Sequence, residues 1–235
     1  MLKVELHCHT DIDPSDLIPY STRELIDHAA RLGFHAIAVT PHDGYFDPSA
    51  DAEYARARGI VLIAGIERTL QGKHVLLLNF PAACARVRTF GDIAALKAAH
   101  PGGLVVAPHA FYPNPSALRR TLMDRHAPLF DAIEVNAMYT RVIDFNPAAI
   151  EWARQQDLPL VGNSDLHTLA HLGRTYSLVD AEPNVDAICA AIRQGRVEVR
   201  TTPVSHLHAG WTFGQMVVRG ALGRLRRLTR GGAVP

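Results

Sequence analysis

The chain opens with Leu2-Lys3-Val4-Glu5-Leu6-His7-Cys8-His9-Thr10, an apolar stretch that ends in two histidines one residue apart. The composition of this stretch predicts a β-strand. Side chains on a strand alternate between its faces, so His7 and His9 point to one side and Cys8 points to the other. Two imidazoles on one side of a strand end can hold a single metal ion between them.

Six further apolar runs rich in β-branched residues follow, at 35–40, 60–66, 74–80, 104–107, 132–135 and 160–162. Helical or loop segments lie between and after them, at 22–32, 50–58, 90–99, 116–125, 147–156 and 185–194. Several of these segments begin at a capping residue and end at a glycine. The first, for example, follows Ser21, has Glu24 three residues later, and ends at Gly33. The alternation predicts parallel strands joined by crossovers. Roughly seven β/α units favour a closed or nearly closed barrel over an open doubly wound sheet.

Charge is distributed unevenly along the chain. Up to Glu198 there are 18 basic and 23 acidic residues, a net charge of −5, whereas six arginines and no acidic residue follow. We expect one main domain over residues 1–200 and a basic, candidate helical extension over 201–235. That extension has two interpretations: contact with an anionic membrane or nucleic acid, or docking on the body as a helix or frayed end.

The sequence favours a cytoplasmic protein. Glu5 stands where a signal peptide would need an apolar run, and the printed sequence has no stretch of about 18 apolar residues. The three cysteines, Cys8, Cys84 and Cys189, have no paired spacing, which suits a reducing compartment.

Further residues able to bind metal gather near the ends of the predicted strands. His42 follows the second strand, Glu67 closes the third, His74 opens the fourth, His109 follows the fifth, and Asp165 and His167 follow the last. The carboxyl ends of parallel barrel strands meet on one face, so these side chains are expected to converge, with His74 entering from the loop side. Their many imidazoles favour zinc, manganese or iron over magnesium.

With these motifs the sequence resembles the PHP (polymerase and histidinol phosphatase) family over about residues 1–200. The motifs that carry the resemblance are His7-Cys8-His9-Thr10, Thr40-Pro41-His42-Asp43, Gly65-Ile66-Glu67 and Ser164-Asp165-Leu166-His167. The resemblance implies an α/β fold, a distorted TIM-like barrel of seven β/α units. It also implies a site for two or three divalent metal ions at the C-terminal face of the strands.

The resemblance implies three sets of metal ligands as well. His7, His9, Glu67 and Asp165 form the first, Glu67, His74 and His109 the second, and His42, His167 and an aspartate after the first motif the third. Asp11, Asp13 and Asp16 compete for the last position. We favour Asp16, with Asp13 as the alternative; if neither carboxylate is placed correctly, two metals are expected.

The implied activity is hydrolysis of phosphate esters by metal-activated water, with Asp165 and His167 among the catalytic residues. Arg174 is a candidate clamp for a substrate phosphate, or else a surface arginine at the barrel rim. Two roles are open for Tyr112, Asn136 and Tyr139: they shape a pocket at this face, or they serve packing. The acidic body favours a small phosphomonoester or short oligonucleotide over long nucleic acid, and no obligate protein partner is predicted.

Two alternatives belong to other classes. A non-catalytic, metal-binding regulatory module would normally have lost ligands. An amidohydrolase-like enzyme acting on carbon–nitrogen bonds would need a carboxylated lysine on a middle strand, and the only lysines are Lys3, Lys73 and Lys97. His171, four residues beyond His167, is a weaker candidate for contact with substrate or metal.

Overall fold

The structure, a computed structural model, describes residues 1–205 together with Gly210 and Gly214. Most of the predicted extension at 201–235 therefore lies outside the described residues. The strands are β1 Leu2–Cys8, β2 Ala36–Val39, β3 Val61–Ile63, β4 Gly65–Leu70, β5 Lys73–Leu78, β6 Leu104–Ala107, β7 Ala132–Asn136, β8 Leu160–Asn163, β9 Thr175–Val179 and β10 Val197–Thr201. The α-helices are α1 Thr22–Arg31, α2 Ala52–Arg56, α3 Phe90–Ala99, α4 Arg119–His126, α5 Asn146–Gln155 and α6 Val185–Arg193.

These strands form two five-stranded mixed sheets. The strand order is β10-β9-β1-β2-β3 in the first sheet and β4-β5-β6-β7-β8 in the second. Four neighbouring pairs are parallel, and four are antiparallel. The expectation of parallel strands throughout is therefore wrong. Between β4 and β5 the reason is local: only Gln71 and Gly72 join them, both at positive φ (51° and 76°), and so short a link makes a hairpin rather than a crossover.

The run at 60–66, expected to be one strand, is divided at Ala64. β3 belongs to the first sheet and β4 to the second, so the chain passes between the sheets here. The sheets approach closely at this point: a Cβ on Gly65 would lie 2.8 Å from the backbone oxygen of Val39. Gly162 in β8 is equally close to the first sheet, because its Cβ would lie 2.7 Å from the oxygen of Tyr176.

We call these two contacts the Gly65 seam and the Gly162 seam. They lie at the two edge strands of the second sheet, and isolated bridges between Cys8 and Leu166 and between His42 and Glu67 accompany them. Among the described residues no continuous ladder joins the sheets. The α/β class is thus established, while a closed TIM-like barrel of seven units stays a prediction.

The helices begin largely where the sequence predicts. Ser21 and Glu24 form the expected capping box at the start of α1, and Thr89 and Asp92 form a second one at α3. Trp152 of α5 is fully buried against the second sheet, together with Phe90 and Met123. No helix among the described residues is long and apolar enough to cross a membrane.

Candidate metal centre

His7 and His9 point together, as the parity of β1 predicts, and they face two carboxylates. The Nε2 atoms of His7 and His9 lie 3.3 and 3.4 Å from Glu67 Oε2. The same atoms lie 3.4 and 3.5 Å from Asp165 Oδ1. Two imidazole nitrogens and two carboxylate oxygens thus converge on one point between the sheets.

Three of these four atoms have no hydrogen-bond partner among the described residues: His7 Nε2, His9 Nε2 and Glu67 Oε2, all of them buried. Buried polar atoms without a partner are costly, and native proteins contain few of them. Nitrogen and oxygen donors gathered in this way match the ligand preferences of zinc, manganese and iron. The residues present therefore fit a divalent metal ion.

The carboxylate of Glu67 lies at the middle of the cluster. Its Oε2 is 3.1 Å from His42 Nε2, and its Oε1 is 2.7 Å from His74 Nδ1 and 3.1 Å from His109 Nε2. Burial opposes its ionisation, but His74, His7 and His42 lower the pKa of Glu67 well below its ordinary value. His74 reaches the cluster because the β4–β5 hairpin pairs it with Thr69, two residues beyond Glu67 on β4.

The loop after β1 contributes two aspartates with different contacts. Asp16 Oδ2 lies 3.0 Å from His167 Nε2. Asp13 Oδ2 instead accepts from His9 Nδ1 at 2.8 Å, from His42 Nδ1 at 3.0 Å and from the His42 backbone N–H at 2.9 Å. Asp13 thus orients the imidazoles of His9 and His42, while Asp16 faces His167, and Asp16 as the loop ligand stays a prediction.

Glu134 is a site residue that the sequence reasoning missed. His7 Nδ1 donates to its Oε2 at 2.8 Å, and Asn163 Nδ2 donates to the same oxygen at 3.1 Å. A hydrogen on Nδ1 leaves the lone pair of His7 on Nε2, the atom that faces Glu67 and Asp165. An acidic residue inside the otherwise apolar run 132–135 was the available signal, because a buried carboxylate needs partners.

Glu5 shares the parity of His7 on β1, was not predicted as a site residue, and is fully buried. It accepts from the backbone N–H of Ser164 at 3.0 Å and from that of His7 at 3.2 Å. Burial raises the pKa of Glu5 to about 8, although the hydrogen bonds from Ser164 and His7 lower it. It joins the end of β1 to the loop that carries Asp165.

Three non-glycine residues in or next to the centre have left-handed backbone conformations. They are Asp43, His109 and Asp165, with φ of 53°, 31° and 50°, in the turns after β2, β6 and β8. Such conformations are unfavourable and persist only where the surrounding structure holds them. The folded chain therefore fixes the direction in which His109 and Asp165 leave their strands.

Arg174 is half-buried in the turn before β9. Its Nε is buried without a hydrogen-bond partner in the described part of the chain, and no ion pair there joins it to the metal-binding cluster. His171 is buried in the short turn Leu169–His171. It belongs to none of the three candidate metal groups found within the described residues, which are His7-His9-Asp165, His9-His42-His167 and His42-Glu67-His74.

Of the three candidate pocket residues, Tyr112 and Asn136 line a cavity of about 260 Å³ that Asp165 and His109 also border. Tyr139 does not line this cavity. Its hydroxyl accepts a hydrogen bond from Thr201 Oγ1 at 2.9 Å, which ties the loop after β7 to the end of β10.

The fold and the cluster together define an α/β protein with a buried centre of histidines and carboxylates suited to divalent metals. The chain belongs to the PHP domain family. The model of the PHP domain matches residues 5–135, and a second model, described as PHP-associated, matches residues 144–197. The resemblance inferred from the four motifs is thereby confirmed.

Several known proteins resemble the chain in sequence or fold. An error-prone DNA polymerase of Nocardia farcinica is 39% identical over 66 residues, which are 28% of this chain and 6% of the polymerase. A two-domain protein from Bacteroides vulgatus, containing a predicted PHP-like metal-dependent phosphoesterase, superposes with a TM-score of 0.65 at 22% identity, covering 85% of this chain and 64% of that one. A lesion-specific endonuclease from Pyrococcus furiosus gives 0.58 at 16%, covering 84% and 57%. The chain thus spans only part of each.

Proposed function

We propose that the protein is a metal-dependent hydrolase that cleaves phosphate esters, acting on small phosphomonoesters or short nucleotide chains. One observation carries the proposal: the buried, unpartnered Nε2 atoms of His7 and His9 meet Glu67 Oε2 and Asp165 Oδ1 within 3.5 Å. Nitrogen and carboxylate donors of this kind, enclosed by protein, are how hydrolytic metal centres are built.

The proposed metal ligands fall into three sets. His7, His9, Glu67 and Asp165 form the first, Glu67, His74 and His109 the second, and His42, His167 and Asp16 the third. Two or three ions of zinc, manganese or iron would, when bound, lower the pKa of water and offset negative charge on a phosphate ester. Glu67 would contribute to the first two sets, because its Oε2 faces His7 and its Oε1 faces His74.

The chain's own residues prepare this centre. Glu134 and Asp13 accept from the Nδ1–H groups of His7, His9 and His42, which fixes the lone pairs of these rings on Nε2. Asp165 also borders the cavity beside the cluster, so its carboxylate lies between the metal ligands and the space open to a substrate. His167 donates from Nδ1 to the backbone oxygen of Asp165 at 2.9 Å, which directs its Nε2 to Asp16.

Arg174 is the proposed contact for a substrate phosphate. Its Nε lacks a partner among the described residues although it is buried, and a guanidinium in that state has hydrogen-bonding capacity to offer an anion. The net charge of −5 up to Glu198 supports a small ester over a long polyanion. The named activities of the Bacteroides and Pyrococcus proteins, a phosphoesterase and an endonuclease, both concern phosphate esters.

Metal analysis combined with a panel of phosphomonoesters and short oligonucleotides tests the proposal. His9→Ala should lose bound metal and turnover together, because it removes a buried ligand atom. His100→Ala, in an exposed residue after α3, is the matched control and should keep both. Full turnover in a metal-free His9→Ala protein would refute the proposal.

A further inference from the structure

The cavity of about 260 Å³ lies directly against the candidate metal centre, since His109 and Asp165 form part of its wall. The rest of the wall comes from the loop after β6 and the loop after β7. Tyr112, Pro113 and Asn114 belong to the first loop, and Met138 and Phe145 belong to the second. A ligand held at the metals would therefore extend into this space.

The chemistry of the wall differs from that of the centre. The rings of Tyr112 and Phe145 are tilted at 60° with centroids 5.4 Å apart, and Met138 and Pro113 add further apolar surface. None of the described residues that line the cavity is a lysine or an arginine. Such a pocket offers no charge partner to a phosphate, but it suits the uncharged, planar part of a molecule whose phosphate lies elsewhere.

The two rings are held in different ways. The Tyr112 hydroxyl points at two acceptors, the backbone oxygen of Asn136 at 3.3 Å and Asn146 Oδ1 at 3.4 Å. These hydrogen bonds anchor the ring. Phe145 is 36% exposed. An apolar ring that lies partly in solvent at the wall of a cavity beside a candidate metal centre suits contact with a ligand.

We propose that this cavity binds the planar aromatic part of the substrate, a nucleobase or an aryl ring, and that the protein therefore prefers aromatic phosphate esters. This inference rests on the proposed phosphoesterase function and adds a substrate class to it. The ring would pack against Phe145 and Tyr112 while the phosphate lies at the centre beside Asp165 and His109.

The test compares benzyl phosphate with methyl phosphate, because both are alkyl esters and only one carries a ring. Phe145→Ala should lower kcat/KM for benzyl phosphate about tenfold, equivalent to about 1.4 kcal/mol, and leave the value for methyl phosphate within about twofold. Phe145→Tyr should retain the wild-type preference. Val142→Ala, in the same loop but not among the wall residues, is the matched control and should behave as wild type.

Equal losses on both esters would show that Phe145 serves only the fold, and no loss on either would show that the ring does not enter the cavity; either result overturns the inference. If the wild type hydrolyses neither ester, the cavity is tested by binding, while the phosphoesterase proposal is decided by the wider panel of phosphomonoesters and short oligonucleotides. Calorimetric titration should give an affinity for phenylphosphonate about tenfold above that for methylphosphonate, a difference that Phe145→Ala abolishes. Equal affinities, or no binding of either, would overturn the cavity assignment.

Discussion

His7 Nδ1 lies 2.8 Å from Glu134 Oε2, and both side chains are fully buried. Because a carboxylate behind an imidazole sets its tautomer and orientation, Glu134→Gln should weaken metal affinity about 10- to 100-fold with the fold intact. Competition with a chromophoric zinc chelator measures this affinity. Glu151→Gln, an exposed change on α5, is the control. An unaltered zinc affinity in Glu134→Gln would contradict the orienting role.

Asp13 and Asp16 should be separable by metal stoichiometry. Asp16→Asn removes a carboxylate whose ion-pair partner among the described residues is His167, so the protein should bind one metal equivalent fewer while the other sites keep their affinity. Asp13→Asn disturbs two imidazoles, those of His9 and His42, and should weaken binding overall by about tenfold or more. Elemental analysis after dialysis gives the stoichiometry. Full metal content in Asp16→Asn would show that Asp16 is not the loop ligand and would favour Asp13.

The Gly162 seam predicts a stability effect. A methyl group there would lie 2.7 Å from the oxygen of Tyr176 and 2.9 Å from Val199 Cγ1, and the backbone oxygen cannot move aside without distorting β9. Gly162→Ala should therefore lower the free energy of unfolding by about 1–3 kcal/mol in urea titrations. Gly91→Ala in α3 has its nearest new contact at 3.6 Å and should be neutral or stabilising. Equal stability of the two variants would refute the close approach.

The thiols should be unreactive in the native protein. Cys8, Cys84 and Cys189 are all free and buried. Burial raises the pKa of Cys84 to about 11 and that of Cys189 to about 12, so almost no thiolate is present at pH 8. Intact-mass measurement after iodoacetamide treatment should find no adduct on folded protein and three on protein unfolded in urea. Rapid labelling of the folded protein at pH 8 would contradict the burial.

The local part of the centre was predictable because it depends on periodicity. Alternation along β1 alone places His7 and His9 on one side, and strand ends place His42, His109, Asp165 and His167 near one another. The position of His74 was harder to foresee, since it depends on the Gln71-Gly72 turn and its antiparallel hairpin. A sequence pattern of apolar runs does not distinguish a hairpin from a crossover unless the turn residues are weighed.

The parts that sequence reasoning missed depend on pairing over long distances. Glu134 is visibly an acidic residue in an apolar run, but its partner His7 is 127 positions away, and nothing local indicates the pair. The same holds for Glu5 and Ser164, separated by 159 positions. The division of the ten described strands into two sheets likewise depends on non-local strand pairing, and so does the close approach at Gly65 and Gly162; a single sequence reveals neither.

The candidate ligands are divided between the two sheets. His7, His9 and His42 come from the first sheet and the loops that follow its strands, whereas Glu67, His74, His109 and Asp165 come from the second. Cations shared between them would cross-link two sheets that also share a buried apolar core, in which Val4 and Leu6 of the first sheet belong to one cluster with Leu76 and Val106 of the second. Removal of the metals by a chelator should speed amide hydrogen exchange more near Gly65 and Gly162 than in the interiors of the strands. The melting temperature should rise with metal concentration.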